Sequence, residues 1–241
     1  TQRGIVYKVQ GSGVFVRPTG QDGYMSLTDN AGDKLPTITD LMKKYQVGKS
    51  TILQAITLLT QRGIVYKVQG SGVFVRPTGQ DGYMSLTDNA GFAHVLKKPT
   101  TEVIEFSEKK APKPISEHLH SNEECYFIKR LRKQDGKPFV LEESYYRKSI
   151  IPFMSKEIAG GSIFDYIREG LKKEIRFSDK YMRVRKLTAD EAKYLELKEG
   201  DPCLEVYDTF YLANGTAFDS SKLIYHYQNA KFYDQSSDDI I

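Results

Sequence analysis

The sequence predicts an α+β chain of two domains: an N-terminal pair of helices closed by a hairpin, then an antiparallel sheet with helices on one side. Three observations lead there. The hydrophobic period switches from helical to alternating at Gly63. Beyond Phe92, alternating strands are broken by short segments with helix-start signals. At 241 residues and 39% apolar side chains, the chain is long and apolar enough for two packed cores.

Taken in order, residues 33–77 form the first domain. Leu35 to Tyr45 is a short amphipathic helix, with Thr37 and Asp40 spaced as an approximate capping box. Ile52, Ala55, Ile56 and Leu59 then share one helical face. Ser50 or Thr51 can cap that helix, and Gly63 can end it in the left-handed conformation. Its opposite face carries Lys49, Ser50, Leu53, Gln54 and Thr57. Ile64 to Val68 and Val73 to Arg76 follow as strands around Gln69-Gly70-Ser71-Gly72. Helix, turn, helix and two-stranded wing make a winged helix-turn-helix, a unit that reads DNA.

Charge agrees. The whole chain carries only +4, yet Lys34, Lys43, Lys44, Lys49, Arg62, Lys67 and Arg76 outweigh Asp33 and Asp40 within this domain. Such a local excess is the electrostatic footprint expected for a phosphate backbone. Lys49 and Thr51 suit phosphate contacts, with Ser50 beside them. Gln54 either pairs with an adenine edge or is simply solvated. Gly70, Ser71 and Gly72 serve equally as a tight turn and as a wing tip that lets backbone approach DNA. Gly48-Lys49-Ser50-Thr51 is not a nucleotide-binding loop, because Lys43 stands where that loop needs its first glycine.

Residues 1–32 repeat residues 60–91 without one substitution. Repeats in natural solenoids drift, so this identity suggests a cloning or sequence-assembly artefact rather than a recent in-frame duplication. Residues 78–91 are a polar, glycine-rich linker that ends in Asp88-Asn89-Ala90-Gly91. Tyr83, Met84 and Leu86 within it are apolar enough to dock.

Residues 92–241 form the second domain. Thr101 to Phe106, Cys125 to Arg132, Pro138 to Tyr146, Tyr181 to Lys186, Cys203 to Leu212 and Ala217 to Tyr227 alternate as strands. Asp135-Gly136 marks a hairpin turn. Ile115 to Leu119, Ser162 to Lys173 and Thr188 to Leu195 are helices, the last two opened by Ser162/Asp165 and Thr188/Glu191 as capping boxes.

Arg130 and Arg132 share strand parity and can face one cavity, where paired guanidinium forks suit phosphate or carboxylate. Ser162 at a helix start offers a hydroxyl and backbone N–H groups. Glu142, Asp219 and Tyr225 can bond sugar hydroxyls. The competing reading of these residues is a surface salt bridge between Arg132 and Glu142 across the hairpin.

Both halves are similar to known families. The head resembles the GntR family of bacterial transcription regulators, through Leu35-Pro36-Thr37, Tyr45-Gln46-Val47, Thr51, Ala55, Leu59, Gly63-Ile64 and Gly70-x-Gly72 before Phe74-Val75. It departs from that pattern at Gly48-Lys49, Leu53 and Val73, on the DNA-facing side. The second half resembles the UTRA effector-binding domain of the HutC branch, which has a chorismate-lyase-like fold. There the matching residues are Arg130-Leu131-Arg132, Asp135-Gly136-x-Pro138, Glu142, Tyr145, Ser162 to Asp165 and Gly200-Asp201-Pro202.

The resemblance implies a dimeric repressor that binds double-stranded operator DNA and is released by a small metabolite such as a sugar phosphate. Its alternatives are a chorismate-lyase-like enzyme or a regulator that senses a non-phosphorylated carboxylate. No cofactor, metal site or catalytic set is expected. His94, His118, His120 and His226 are scattered, and Cys125 and Cys203 lack ligand spacing. Without a long apolar run or a secretion-type start, a cytoplasmic protein is expected.

Overall fold

The computed structural model describes residues 5–9, 13–17, 25–27, 32–61, 63–76, 83–86 and 99–234. The chain forms two compact units, residues 1–87 with 233–241, and residues 88–232. The first copy of the repeat folds as β1 (Ile5–Val9), β2 (Gly13–Arg17) and β3 (Met25–Leu27) in one antiparallel sheet. Its β1 backbone lies against the second helix of the head.

Helix α1 (Ile38–Tyr45) starts where the capping box places it: Thr37 Oγ1 accepts from the Asp40 N–H at 3.2 Å and donates to Asp40 Oδ2 at 2.6 Å. Helix α2 (Lys49–Gln61) begins earlier than its polar residues suggest. Gly48 O accepts from the Thr51 and Ile52 N–H groups, so Gly48 holds the cap position and Ser50 and Thr51 lie inside the first turn. Four residues of α2, Ile52, Ala55, Ile56 and Leu59, pack with Leu35, Leu41, Ile64 and Val65.

Strands β4 (Val65–Val68) and β5 (Gly72–Val75) form the wing, paired from Val65 with Val75 to Val68 with Gly72. Residues 32–35 run along the free edge of β5, with Leu35 N–H bonded to Val73 O at 2.8 Å. The tip requires its glycines: φ is 76° at Gly70 and 120° at Gly72, and a Cβ on Gly72 would stand 2.8 Å from Lys34 Cε. In the expected linker, β6 (Met84–Ser85) is ordered and Met84 is buried; Leu86 N–H donates to Tyr233 O. The turn expected at residues 88–91 lies outside the described residues.

The second unit is built on β7 (Pro99–Lys110), β8 (Glu124–Gln134), β9 (Lys137–Arg147), β10 (Ile175–Lys186), β11 (Pro202–Leu212) and β12 (Ala217–His226). They form one antiparallel sheet in the order β10-β11-β12-β9-β8-β7. Asp135 and Gly136 both have positive φ, 50° and 79°, the primed turn that suits a two-residue hairpin.

The helices do not stay on one side, as the sequence suggested. Helices α3 (Lys113–Leu119) and α6 (Ala189–Leu195) cover the face of Cys125, Leu131, Leu141, Cys203 and Ile224. Helix α4 (Lys156–Gly160) and the turn α5 (Ile163–Asp165) cover the other, against Tyr126, Ile128, Tyr146 and Phe210. Both faces of β8 and β9 are apolar at alternate positions, and each face needs its own cover.

Ser162 and Thr188 both cap as expected, and Thr188 completes its box with Glu191. The helix predicted over residues 162–173 is shorter. After Asp165 it widens into a π-turn over Tyr166–Gly170, where Leu171 N–H bonds Tyr166 O. A Cβ on Gly170 would lie 2.9 Å from the Tyr166 ring, so glycine lets the wide turn close.

Candidate effector site and nucleic-acid interface

The sheet register decides which polar residues meet. Arg130 lies opposite Glu142, Ser144 opposite Ser221, and Tyr146 opposite Asp219. Asp208 lies opposite Ser221 from the other side, and Lys180 opposite Asp208. With side chains alternating across the sheet, Arg130, Arg132, Glu142, Ser144, Asp219, Ser221, Tyr225, Asp208 and Lys180 share the face that α4 and α5 partly cover.

This polar group is buried. Arg130 is 1% exposed, Arg132 7% and Glu142 4%. Arg130 donates one nitrogen to Glu142 Oε1 and another to Ala159 O at 3.0 Å. Arg132 Nε donates to Glu142 Oε2 at 2.8 Å and its Nη1 to Thr101 Oγ1 at 3.2 Å. Burial alone would raise the Glu142 carboxyl, but the two guanidinium groups outweigh it and hold it at about 2. The Arg132–Glu142 ion pair therefore exists, yet it is interior and not a surface bridge.

A hydroxyl chain continues the network. Ser144 Oγ donates to Glu142 Oε1 at 2.8 Å, and Ser221 Oγ lies 2.7 Å from Ser144 Oγ and 2.8 Å from Asp219 Oδ1. Burial pushes the Asp219 carboxyl well above the usual carboxylate range, and its Oδ1 accepts from Ser221. Tyr225 is buried against the rings of Phe139 and Phe232, and burial raises its phenol too. Ser162 Oγ is committed to the Asp165 N–H at 3.2 Å. The bond to Ala159 O brings Arg130 to the chain three residues before Ser162.

Sequence reasoning missed Ser144, Ser221, Asp208 and Lys180. The signal was present for the serines, each two positions along a strand from a residue already singled out. Asp208 is 3% exposed, with Oδ2 3.3 Å from Lys180 Nζ and Oδ1 without a hydrogen-bond partner among the described residues.

In the head, α2 turns Lys49, Ser50, Thr51, Leu53, Gln54 and Thr57 outward, all exposed. Gly70, Ser71 and Gly72 are exposed at the wing tip. The N-terminal half of a second helix and a hairpin tip are the parts such a unit presents to a groove and its flanking backbone.

Comparison with known proteins agrees with both halves. Residues 25–75 match the family described as bacterial regulatory proteins, gntR family, and residues 95–231 match the UTRA domain. The chain is 42% identical over 210 residues to the uncharacterized HTH-type transcriptional regulator YydK of Bacillus subtilis, covering 86% of this chain and 89% of that one. The crystal structure of YydK superposes with a TM-score of 0.78, covering 86% of this chain and 90% of that one. The mannosyl-D-glycerate transport/metabolism system repressor MngR of Escherichia coli is 26% identical, over 83% of this chain and 85% of its own. The effector-binding domain of the B. subtilis trehalose repressor shares the fold of the second unit, with a TM-score of 0.51 at 24% identity, covering 57% of this chain and 97% of that one. With one family model covering more than half of the chain and a second covering the head, this protein belongs to the GntR family of bacterial transcription regulators, in the HutC branch that carries a UTRA domain.

Proposed function

We propose that this regulator is a repressor that binds a two-fold symmetric operator as a homodimer and leaves it when a sugar phosphate binds the UTRA domain. Arg130, Arg132 and the segment at Ser162 take the phosphate; Glu142, Asp219 and Tyr225 take the sugar hydroxyls. The carrying observation is the convergence of two buried guanidinium forks on one carboxylate, on a face that also holds Asp219 and Tyr225. Forked, charge-assisted donors in a dry site suit an anion with several oxygens. A repressor of mannosyl-D-glycerate metabolism among the relatives supports a sugar-derived effector.

In the head, Lys49, Ser50 and Thr51 contact phosphates, Gln54 a base edge, and Gly70-Ser71-Gly72 the flanking backbone. The dimer uses the sheet edge at β10, where Phe177, Tyr181, Met182 and Val184 are between 42% and 76% exposed. An open edge strand with four exposed apolar side chains offers its unpaired backbone groups to a second copy. The reading places the protein in the cytoplasm, with the DNA it binds, and needs no cofactor.

The test is a titration of the operator complex with a panel of sugar phosphates and their unphosphorylated parents. Arg132→Ala retains operator binding, and release then needs about thirtyfold more of the active compound, the cost of one charge-assisted contact. Equal potency of a sugar and its phosphate, or unchanged potency for both Arg132→Ala and Ser162→Ala, rules the phosphate site out.

A further inference from the structure

Helix α2 turns its apolar residues toward the core, with Leu58 partly buried, except at one position. Ile52, Ala55, Ile56 and Leu59 are at most 5% exposed, whereas Leu53 is 41% exposed on the outward side. At four-residue spacing it forms one row with exposed Lys49 and Thr57, beside the row of Ser50 and Gln54. An isolated exposed leucine is ordinary on a protein surface. This one stands in the first turns of the helix, where a helix-turn-helix protein meets base edges, between a cation suited to phosphate and an amide suited to a base. A leucine there offers no hydrogen bond. The one feature of the major groove that it complements is apolar, the C5-methyl of thymine.

We propose that Leu53 is a specificity-determining residue, which selects a thymine in each operator half-site by covering its methyl group. Specificity at that step then comes from apolar contact and not from a hydrogen-bonded base edge. Contact withdraws both the leucine side chain and the methyl from water. Replacing the thymine by uracil removes the methyl and leaves its Watson–Crick hydrogen bonds unchanged. The expected loss is about fourfold in affinity, the value of burying one methyl-sized group.

The inference rests on α2 entering the groove, and the experiment separates the two. The full chain selects duplexes from a random-sequence pool, and each thymine of the selected site is replaced by uracil in turn. Circular dichroism checks that the variants fold. In each half-site one thymine loses about fourfold with the parent protein and nothing with Leu53→Ala, a double-mutant cycle between side chain and methyl. A second selection with Leu53→Arg exchanges that thymine for guanine, the base whose O6 and N7 accept a guanidinium fork. Equal uracil losses in parent and Leu53→Ala, or a thymine retained by Leu53→Arg, overturn the assignment. If Lys49→Ala weakens binding and its salt dependence while no thymine responds, α2 lies on the DNA and only the role of Leu53 is wrong.

Discussion

Arg130 and Arg132 lie inside the sensor with Glu142 between them, whereas Lys43, Lys44, Lys49 and Lys67 stand exposed on the head. The interior arginines have left water, a cost on the order of several kcal/mol per ion, and the sheet register supplies the compensating carboxylate. The head lysines stand in water, where a charge acts mainly through its long-range field. Interior charges are therefore part of the fold and suit a ligand that replaces water with matched oxygens. Exposed charges contribute little to stability and much to salt-dependent association.

The sharpest way to break this contrast is to remove the shared carboxylate. Glu142→Ala leaves two buried guanidinium groups facing each other, and loss of one partner of a buried pair costs about 3–5 kcal/mol. Urea unfolding of the variant checks this; a loss below about 1 kcal/mol would show that water already reaches the arginines.

A smaller effect separates the buried acids from one another. Burial raises the Asp208 carboxyl to about 6, against the attraction of Lys180 and with added repulsion from Asp179 and Glu142. An unfolded carboxyl titrates near 4, so between about pH 4 and 6 the folded state keeps a proton that the unfolded state has lost. Stability from this group is complete below that window and falls as pH rises through it. Asp208→Asn removes the fall and stabilises the protein at pH 7 by on the order of 2 kcal/mol. Glu142 works in the opposite direction, because its carboxyl is held at about 2 and its contribution is lost on acidification below about 4. Thermal unfolding of parent and Asp208→Asn from pH 4 to 8 distinguishes the signs.

The smallest stability effect belongs to the head. Lys49→Ala should change unfolding by less than about 0.5 kcal/mol, as expected at an exposed position. The same variant lowers the slope of log affinity against log salt by about one for each head. An unchanged slope would take this lysine away from the DNA.

The duplicated segment gives a second, internal comparison. Val6 pairs with Val16 and Val9 with Gly13 in the first copy, as Val65 pairs with Val75 and Val68 with Gly72 in the second. Local sequence is sufficient for the hairpin, whose glycine-bearing tip and alternating strands specify one register. The third strand follows context. Met25–Leu27 pairs with β2, while residues 32–35 occupy the corresponding edge of β5 and the ladder of β6 bonds Tyr233 instead.

The wing, the Asp135-Gly136 turn, the capped starts at Thr37, Ser162 and Thr188, and the six sheet strands were legible because each depends on residues a few positions apart. Strand ends were read short by several residues at β7 and β10. Charged residues there sit on exposed positions and blur the alternation. The start of α2 was misplaced because Gly48 caps through its carbonyl alone, which leaves no side-chain signature.

What the sequence determined by itself is the order and chemistry of the elements: a basic helix-turn-helix with a wing, then strands that carry two arginines of like parity. Only the tertiary structure decided that those arginines are interior and meet on Glu142. It also recruited Ser144, Ser221, Asp208 and Lys180 to the same face and set helices on both faces of the sheet. These outcomes depend on cross-strand register between residues up to 77 positions apart, as between Ser144 and Ser221. Register and burial follow from how all six strands align at once, and no local pattern along the chain encodes them.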